Sequence, residues 1–411
     1  MWIRGAKLRK PKDVDTRSEA PRALETSDKE IIMNPLEHLI DYGQSFWLDN
    51  IRRGFTRAGS LMDLVTNDGL RGVTSNPSIF EKSVADGEDY DDAIRELAAA
   101  GKTPEQMYDV LTTDDIREAC DVFQGLFEQS KGGDGFVSIE LPPHLANDAD
   151  GSITEGLRLW PLVDRPNVMI KVPATDAGMP VIRRLISEGV NVNITLMFGA
   201  GYYERVIDAY FSGLEDRLAK GMPIHGIASV ASCFVSRVDT EADPRIQAAA
   251  AKADDATKAK LTALLGTTAI ANSKRLYTVY LQSLETARWK KLATAGARKQ
   301  RPLWASTSTK NPKYPDVYYV EALIGPDTVD TMPPATIDAF RDHGKLGARL
   351  ETKMEEAEEQ LQALEACGIS LKDITDKLLA DGLVTFEKAY DQLLGVIQDK
   401  TKALVGVGTK S

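Results

Sequence analysis

The chain has 411 residues, 43% of them hydrophobic and 27% charged, the composition of an ordinary soluble globular protein with ample core. A net charge of −11 argues against nucleic acid or an anionic membrane surface as partner, so an anionic substrate would need a local island of positive charge. Cys120, Cys233 and Cys367 lie far apart in an odd number, and His38, His144, His225 and His343 show no ligand spacing, which points to a reduced cytoplasmic protein without structural metal. No apolar run approaches the roughly 18 residues of a membrane span, and the N-terminus lacks a signal-peptide core.

Residues 1–33 mix acidic and basic side chains without periodicity and read as a disordered extension or an upstream mis-assigned start. Met33-Asn34-Pro35 is a natural start for a folded part running to residue 404, with 405–411 as a tail. Within it, short β-like runs recur between long helical stretches, the signature of βαβ units and a parallel sheet. Eight such runs are counted, at 45–50, 72–75, 136–141, 168–172, 191–196, 226–230, 302–305 and 317–323. Eight parallel strands close a barrel, so the expected fold is an α/β, single-domain (β/α)8 TIM barrel with additional helices.

Among the helices, Ile116, Cys120, Phe123 and Phe127 share one face of an element expected to begin near Asp114. The Ala/Lys/Leu-rich stretch 257–293 reads as the largest helical elaboration. Leu350, Met354, Ala357, Leu361 and Leu364 alternate by four and three, with Gly368 suited to a C-cap. That stripe is too short for a coiled coil and is expected to pack on the barrel.

Barrels of this type place their chemistry at the C-terminal ends of the strands, so polar residues ending apolar runs form one constellation. The first run ends in Asp49, the second in Asn76 and the third in Glu140; the fifth carries Asn193 and Thr195. The sixth leads to Ser232 with Arg237 beyond, and the seventh to Ser306 through Lys310. Singly, a strand-end Asp or Asn is more often a turn or helix cap. Seven consecutive strands delivering functional groups to one rim are harder to assign to capping.

The fourth run, Val168-Met169-Ile170-Lys171-Val172-Pro173-Ala174-Thr175, sets a lysine among apolar residues. Such runs are strands buried on both faces, where an ammonium has nowhere to be hydrated. Desolvation disfavours the charged form, which makes Lys171 a candidate neutral amine, the nucleophile that forms Schiff bases with ketones. The alternative is a lysine paired with a carboxylate or snorkelling to solvent. Schiff-base chemistry needs an acid/base within reach, directly or through one water, and Glu140 on the neighbouring run is the natural candidate, with Thr195 placed to hold the water. Breaking a carbon–carbon bond needs a second base, for which Asp49 is the remaining carboxylate. Asn76 and Asn193 suit the hydroxyls of a sugar fragment.

At these residues the chain resembles the transaldolases. The matching segments are Trp47-Leu48-Asp49, Gly72-Val73-Thr74-Ser75-Asn76-Pro77, Val137-Ser138-Ile139-Glu140, Ile170-Lys171-Val172-Pro173-Ala174-Thr175, Asn191-Val192-Asn193-Ile194-Thr195-Leu196, Ser232-Cys233-Phe234-Val235-Ser236-Arg237 and Trp304-Ala305-Ser306-Thr307-Ser308-Thr309-Lys310-Asn311. They follow the family's order over nearly the whole chain, and jointly they are far more specific than any one alone. The resemblance implies a cofactor-free, metal-free enzyme of the non-oxidative pentose phosphate pathway. It would move a dihydroxyacetone unit from sedoheptulose 7-phosphate to glyceraldehyde 3-phosphate, giving erythrose 4-phosphate and fructose 6-phosphate. Lys171 would be the Schiff-base nucleophile, Asp49 the base for bond cleavage, and Glu140 with Thr195 the proton relay. Asn76 and Asn193 would hold the dihydroxyacetone part, and Ser232 and Arg237 the phosphate.

The loop after the seventh run, Ser306 to Lys310, departs from the shorter transaldolases, which carry an arginine there, and resembles a longer bacterial subfamily. This leaves Lys310 as the second phosphate cation or, alternatively, as a merely solvated lysine. Phe234 stands where related fructose 6-phosphate aldolases carry a tyrosine, which favours transfer over simple aldol cleavage. Two other readings stay open: such an aldolase, which would release dihydroxyacetone without an acceptor, and a non-catalytic sugar-phosphate-binding barrel, which would give no borohydride-trapped adduct. Monomer and homodimer are both compatible with the sequence.

Overall fold

The computed structural model describes residues 34–406. The extension expected over 1–33 and residues 407–411 lie outside the described residues. Eight strands, β1 (Gln44–Asp49), β2 (Gly72–Thr74), β3 (Phe136–Glu140), β4 (Val168–Pro173), β5 (Val192–Met197), β6 (Ser229–Phe234), β7 (Arg301–Ala305) and β8 (Thr328–Met332), pair in sequence order, all parallel. β8 closes on β1 through Gln44↔Thr328 to Leu48↔Met332, completing the barrel. Crossover helices surround it, as right-handed βαβ connections require. Their inner faces bury the aliphatic runs, from Val181, Ile182, Leu185 and Ile186 on one helix to Val206, Tyr210 and Leu214 on the next. Among the described residues no helix is long and apolar enough to cross a membrane.

Two strand assignments change. The sixth begins three residues later than its expected start and ends four later, which brings Ser232 and Phe234 inside the strand. The eighth is not at 317–323: that segment is a short helix, Tyr318–Ala322, and the strand is Thr328–Met332. Aromatic and β-branched residues mimic a strand in the first segment, yet Tyr319, Val320, Leu323 and Ile324 are buried at helical spacing. The true strand escaped detection because three of its five residues are polar. Their partners lie mostly elsewhere in the chain: Thr328 Oγ1 accepts from Gln44 Nε2 and donates to the nearby Gly325 carbonyl, Thr307 Oγ1 donates to Asp330, and Thr331 bonds Thr74.

The helix carrying Ile116 and Phe123 starts ten residues before Asp114, at Pro104, with Thr103 and Gln106 forming a capping box. The 257–293 elaboration resolves into Asp255–Ala263, Thr268–Glu285 and Ala287–Thr294. The stripe helix is Met354–Ala366, and Gly368 beyond it lies at φ 78°, in the left-handed region. Its main packing partner is the helix Thr268–Glu285 rather than the barrel strands, because that elaboration forms an extra outer layer. A last helix of 36 residues, Leu371–Gly406, extends two residues into the stretch read as a tail. It packs on the helix after β2, Pro77–Ala85, and on β5, so it lies over the end of the barrel where the strands finish.

Candidate active site

The C-terminal ends of the strands open on a cavity of about 380 Å³, within the usual range for small-molecule sites. Asp49 of β1, Lys171 of β4, Thr195 of β5, and Ser232 and Phe234 of β6 line it, together with Asn76, Arg237, Ser306 and Lys310 from the following loops and helices. A slightly larger cavity, about 430 Å³, lies beside the helix Ala200–Ala219, but the cations on its wall, Arg205, Arg275 and Lys372, already pair with Asp176, Glu358 and Asp376.

Strand pairing sets Lys171 between Glu140 and Asn193. Lys171 is 5% exposed; its Nζ donates to the Ser75 carbonyl at 2.9 Å and lies 3.5 Å from Glu140 Oε2. The lysine is thus buried, and a carboxylate accompanies it at a distance longer than a tight ion pair. Burial pushes the Glu140 carboxyl up to about 7, against the pull of Lys171 and with help from the Asp49 charge. Asp49 is likewise held above the ordinary carboxylate range, first by burial, while Lys171 and the Thr74 hydroxyl, donating at 2.8 Å, oppose the shift. Glu140 Oε2 and Thr195 Oγ1 are buried without a hydrogen-bond partner among the described residues.

Not every expected residue reaches the main cavity wall. Glu140 lines a smaller neighbouring cavity with Pro142, Pro143, Leu196 and Phe386. Asn193 lies two residues deeper on β5 than Thr195 and is engaged at both ends: Nδ2 donates to Ser138 Oγ at 2.9 Å and Oδ1 accepts from Ser232 Oγ at 2.7 Å. Ser232 thus spends its proton on Asn193, though it also borders the cavity. Asn76 both caps the helix Pro77–Ala85, through Ile79 N, and faces the cavity, so its capping and ligand readings coexist.

Across from Lys171 stand two cations. The Arg237 guanidinium sits 5.3 Å over the Phe234 ring and has no carboxylate partner among the described residues. Lys310 Nζ donates to Ser308 Oγ at 2.7 Å at the rim. Burial lowers both from their ordinary values, and at Lys310 the Arg237 charge lowers it further. The Asp49 charge opposes both shifts without forming an ion pair to either, and two like charges held this close are an arrangement able to receive an anion. Ser306 beside them lies at φ 56°, a conformation rare for a non-glycine residue, and its carbonyl is held by Ser236 Oγ at 2.6 Å.

The sequence reading missed Thr74, Ser78, Lys82, Thr331, Thr385 and Phe386 on the cavity wall, and Ser138 beneath it. Thr74 lies inside a segment already singled out, and Thr331 follows from correct placement of β8. Nothing local marks Thr385 or Phe386, which arrive from the last helix.

Comparison with known proteins gives a consistent result. A family model described as Transaldolase/Fructose-6-phosphate aldolase matches residues 46–397. A protein of Trichodesmium erythraeum named Transaldolase is 44% identical over 380 residues, covering 92% of this chain and all of its own length. One of Frankia alni with the same name is 45% identical over 365 residues, covering 89% of this chain and 96% of its own. One of Thermobifida fusca is 43% identical over 371 residues, 90% of this chain and 99% of its own.

Proposed function

The chain belongs to the transaldolase/fructose-6-phosphate aldolase family, and from that premise we propose that it transfers a dihydroxyacetone unit from sedoheptulose 7-phosphate to glyceraldehyde 3-phosphate through a Schiff base on Lys171. It is a transferase in this reading. The observation that carries the reading is the placement of Lys171: buried at the end of β4, 3.5 Å from Glu140, and opening onto the same cavity as Asp49 and Arg237, which has no ion-pair partner among the described residues.

Lys171 Nζ attacks the C2 carbonyl of the donor and passes its proton to Glu140, whose carboxyl, poised near 7, exchanges protons readily at neutral pH. The carbinolamine loses water when Glu140 returns that proton through a water held by Thr195. Asp49 then takes the proton of the C4 hydroxyl, the C3–C4 bond breaks, and erythrose 4-phosphate leaves while the iminium becomes an enamine. The acceptor aldehyde adds to C3, Asp49 returns its proton, and hydrolysis frees fructose 6-phosphate. Thr74 and Thr331 hold Asp49 in place by a hydroxyl chain of 2.8 and 2.7 Å. Arg237, Lys310 and Ser306 take the substrate phosphate, which suits an Arg fork. Phe234 supplies no hydroxyl for direct protonation of the enamine, which favours transfer. A cytoplasmic location, and assembly as a monomer or homodimer, complete the proposal.

Borohydride reduction in the presence of fructose 6-phosphate, followed by peptide mass mapping, tests it. The expected result is a three-carbon addition on Lys171, absent in Lys171→Met, with turnover lost by more than about a thousandfold. An adduct elsewhere, or appreciable activity in Lys171→Met, overturns the assignment. Turnover of fructose 6-phosphate without an acceptor, at a rate matching transfer, would identify an aldolase instead.

A further inference from the structure

The last helix brings Phe386 to the catalytic end of the barrel. Phe386 is 6% exposed and stands between two cavities, lining the main one with Lys171 and Phe234 and the smaller one with Glu140 and Leu196. One turn earlier, Gly382 lies so close to Leu196 that an added Cβ would come within 2.9 Å of Leu196 Cδ2. The helix is therefore seated directly on the end of β5, one residue beyond Thr195. Leu196 is itself held at φ 55°, where the β5–β6 register shifts. Close packing at a strained strand end fixes the ring, and apart from Ser152 the remaining walls around Glu140 are apolar, Leu141, Pro142, Pro143 and Ala146 among them.

The chemistry gives such a ring a task, and the inference rests on the Schiff-base reading above. After C3–C4 cleavage the donor carbons wait as an enamine on Lys171, and two fates compete. If the acceptor aldehyde arrives, C3 forms a carbon–carbon bond to it. If C3 instead takes a proton from Glu140 or from water, the enamine becomes an iminium; water then adds at C2, the C2–N bond breaks, and dihydroxyacetone leaves with Lys171 restored as the amine. No oxidant or reductant enters either branch. Water must reach C2 for product release in both, so the branch point is delivery of a proton to C3. We propose that Phe386 is a specificity-determining residue that screens C3 of the enamine from this proton, so that transfer outruns release of dihydroxyacetone.

The test is a partition measurement on the full-length enzyme. Fructose 6-phosphate is supplied in D2O without an acceptor, and release of dihydroxyacetone carrying one deuterium is followed by NMR; transfer is measured separately with erythrose 4-phosphate as acceptor. In Phe386→Ala the ratio of release to transfer is expected to rise about tenfold, the equivalent of one decade in relative barrier. Phe386→Leu should show a smaller rise. Borohydride trapping on Lys171 should persist in both. An unchanged ratio in a Phe386→Ala protein that melts cooperatively overturns the proposal; if that variant does not fold, an unchanged ratio in Phe386→Leu does so alone. Wild-type protein that traps on Lys171 while the variants keep the wild-type partition sinks only the role of Phe386. Failure of the wild type to trap removes the Schiff-base reading and this inference together.

Discussion

Two carboxylates accompany Lys171, and in the proposed reaction their different surroundings would divide the chemistry between them. Glu140 stands among prolines and aliphatic side chains, pushed up to about 7, and is the nearer to Nζ. Asp49 is held by Thr74 and shares the open cavity with Arg237 and Lys310. Asp49→Ala should therefore still form the adduct with Lys171 while cleavage slows by about 10²- to 10⁴-fold, the usual worth of a general base. Single-turnover trapping set against steady-state release checks this, and an Asp49→Ala protein that cannot be trapped reverses the roles. Lys171 was legible because a charge inside a β-branched run is anomalous anywhere in a sequence. The hydroxyls that orient its neighbours were not: Ser138 and Thr331 look like ordinary strand residues until register places them against Asn193 and Thr74.

The loop after β7 shows how an element can be held by groups far from it in sequence. It carries Ser306, Ser308 and Lys310 to the cavity, and its Thr307 hydroxyl donates at 2.9 Å to Asp330 of β8, while Tyr314 beyond it donates to Asp243 at 2.6 Å. Asp330 is wholly buried, with Oδ2 unpartnered among the described residues, and burial pushes its carboxyl up to about 8 against the Thr307 hydrogen bond. A carboxyl raised in the folded state binds more protons folded than unfolded between about pH 4 and pH 8, so it lowers stability progressively as pH rises through that window. Asp330→Asn keeps an acceptor for Thr307 and removes the titration. Its melting temperature relative to wild type should climb from pH 5 to pH 8 and change little beyond, with catalysis intact; a difference that stays flat with pH would show that Asp330 is not titrating there. The eighth strand was the element that sequence pattern misplaced, for the same reason that makes Asp330 unusual. Asp330 and Thr331 are engaged by hydroxyls remote along the chain, and a hydropathy pattern cannot see them.

At the scale of the whole molecule the two ends of the barrel do different work. At the N-terminal end Arg301 donates to Ser45 Oγ of β1, to the Thr328 carbonyl of β8 and to Asp134 ahead of β3, while Arg71 reaches the same aspartate. This charged knot ties strands from both sides of the closure, in the position where barrels keep residues for stability rather than chemistry. Arg301→Ala should cost about 2 to 3 kcal/mol, the scale of hydrogen bonds to a charged group, and leave kcat within about twofold because the reacting centre lies at the other end. Urea unfolding alongside steady-state kinetics decides it, and a large loss of kcat would show the ends to be coupled. Seven of the eight strands, the parallel order and the polar residues near those strand ends were already present in the sequence, because repeated β-then-helix patterning is local and a barrel leaves little freedom in where its strand ends meet. What packed against those ends was not. The boundary of β6, the place of β8, the double engagement of Asn193 and the arrival of Phe386 from a helix more than two hundred residues after Lys171 depend on partners remote along the chain, and only the closed barrel brings them into contact.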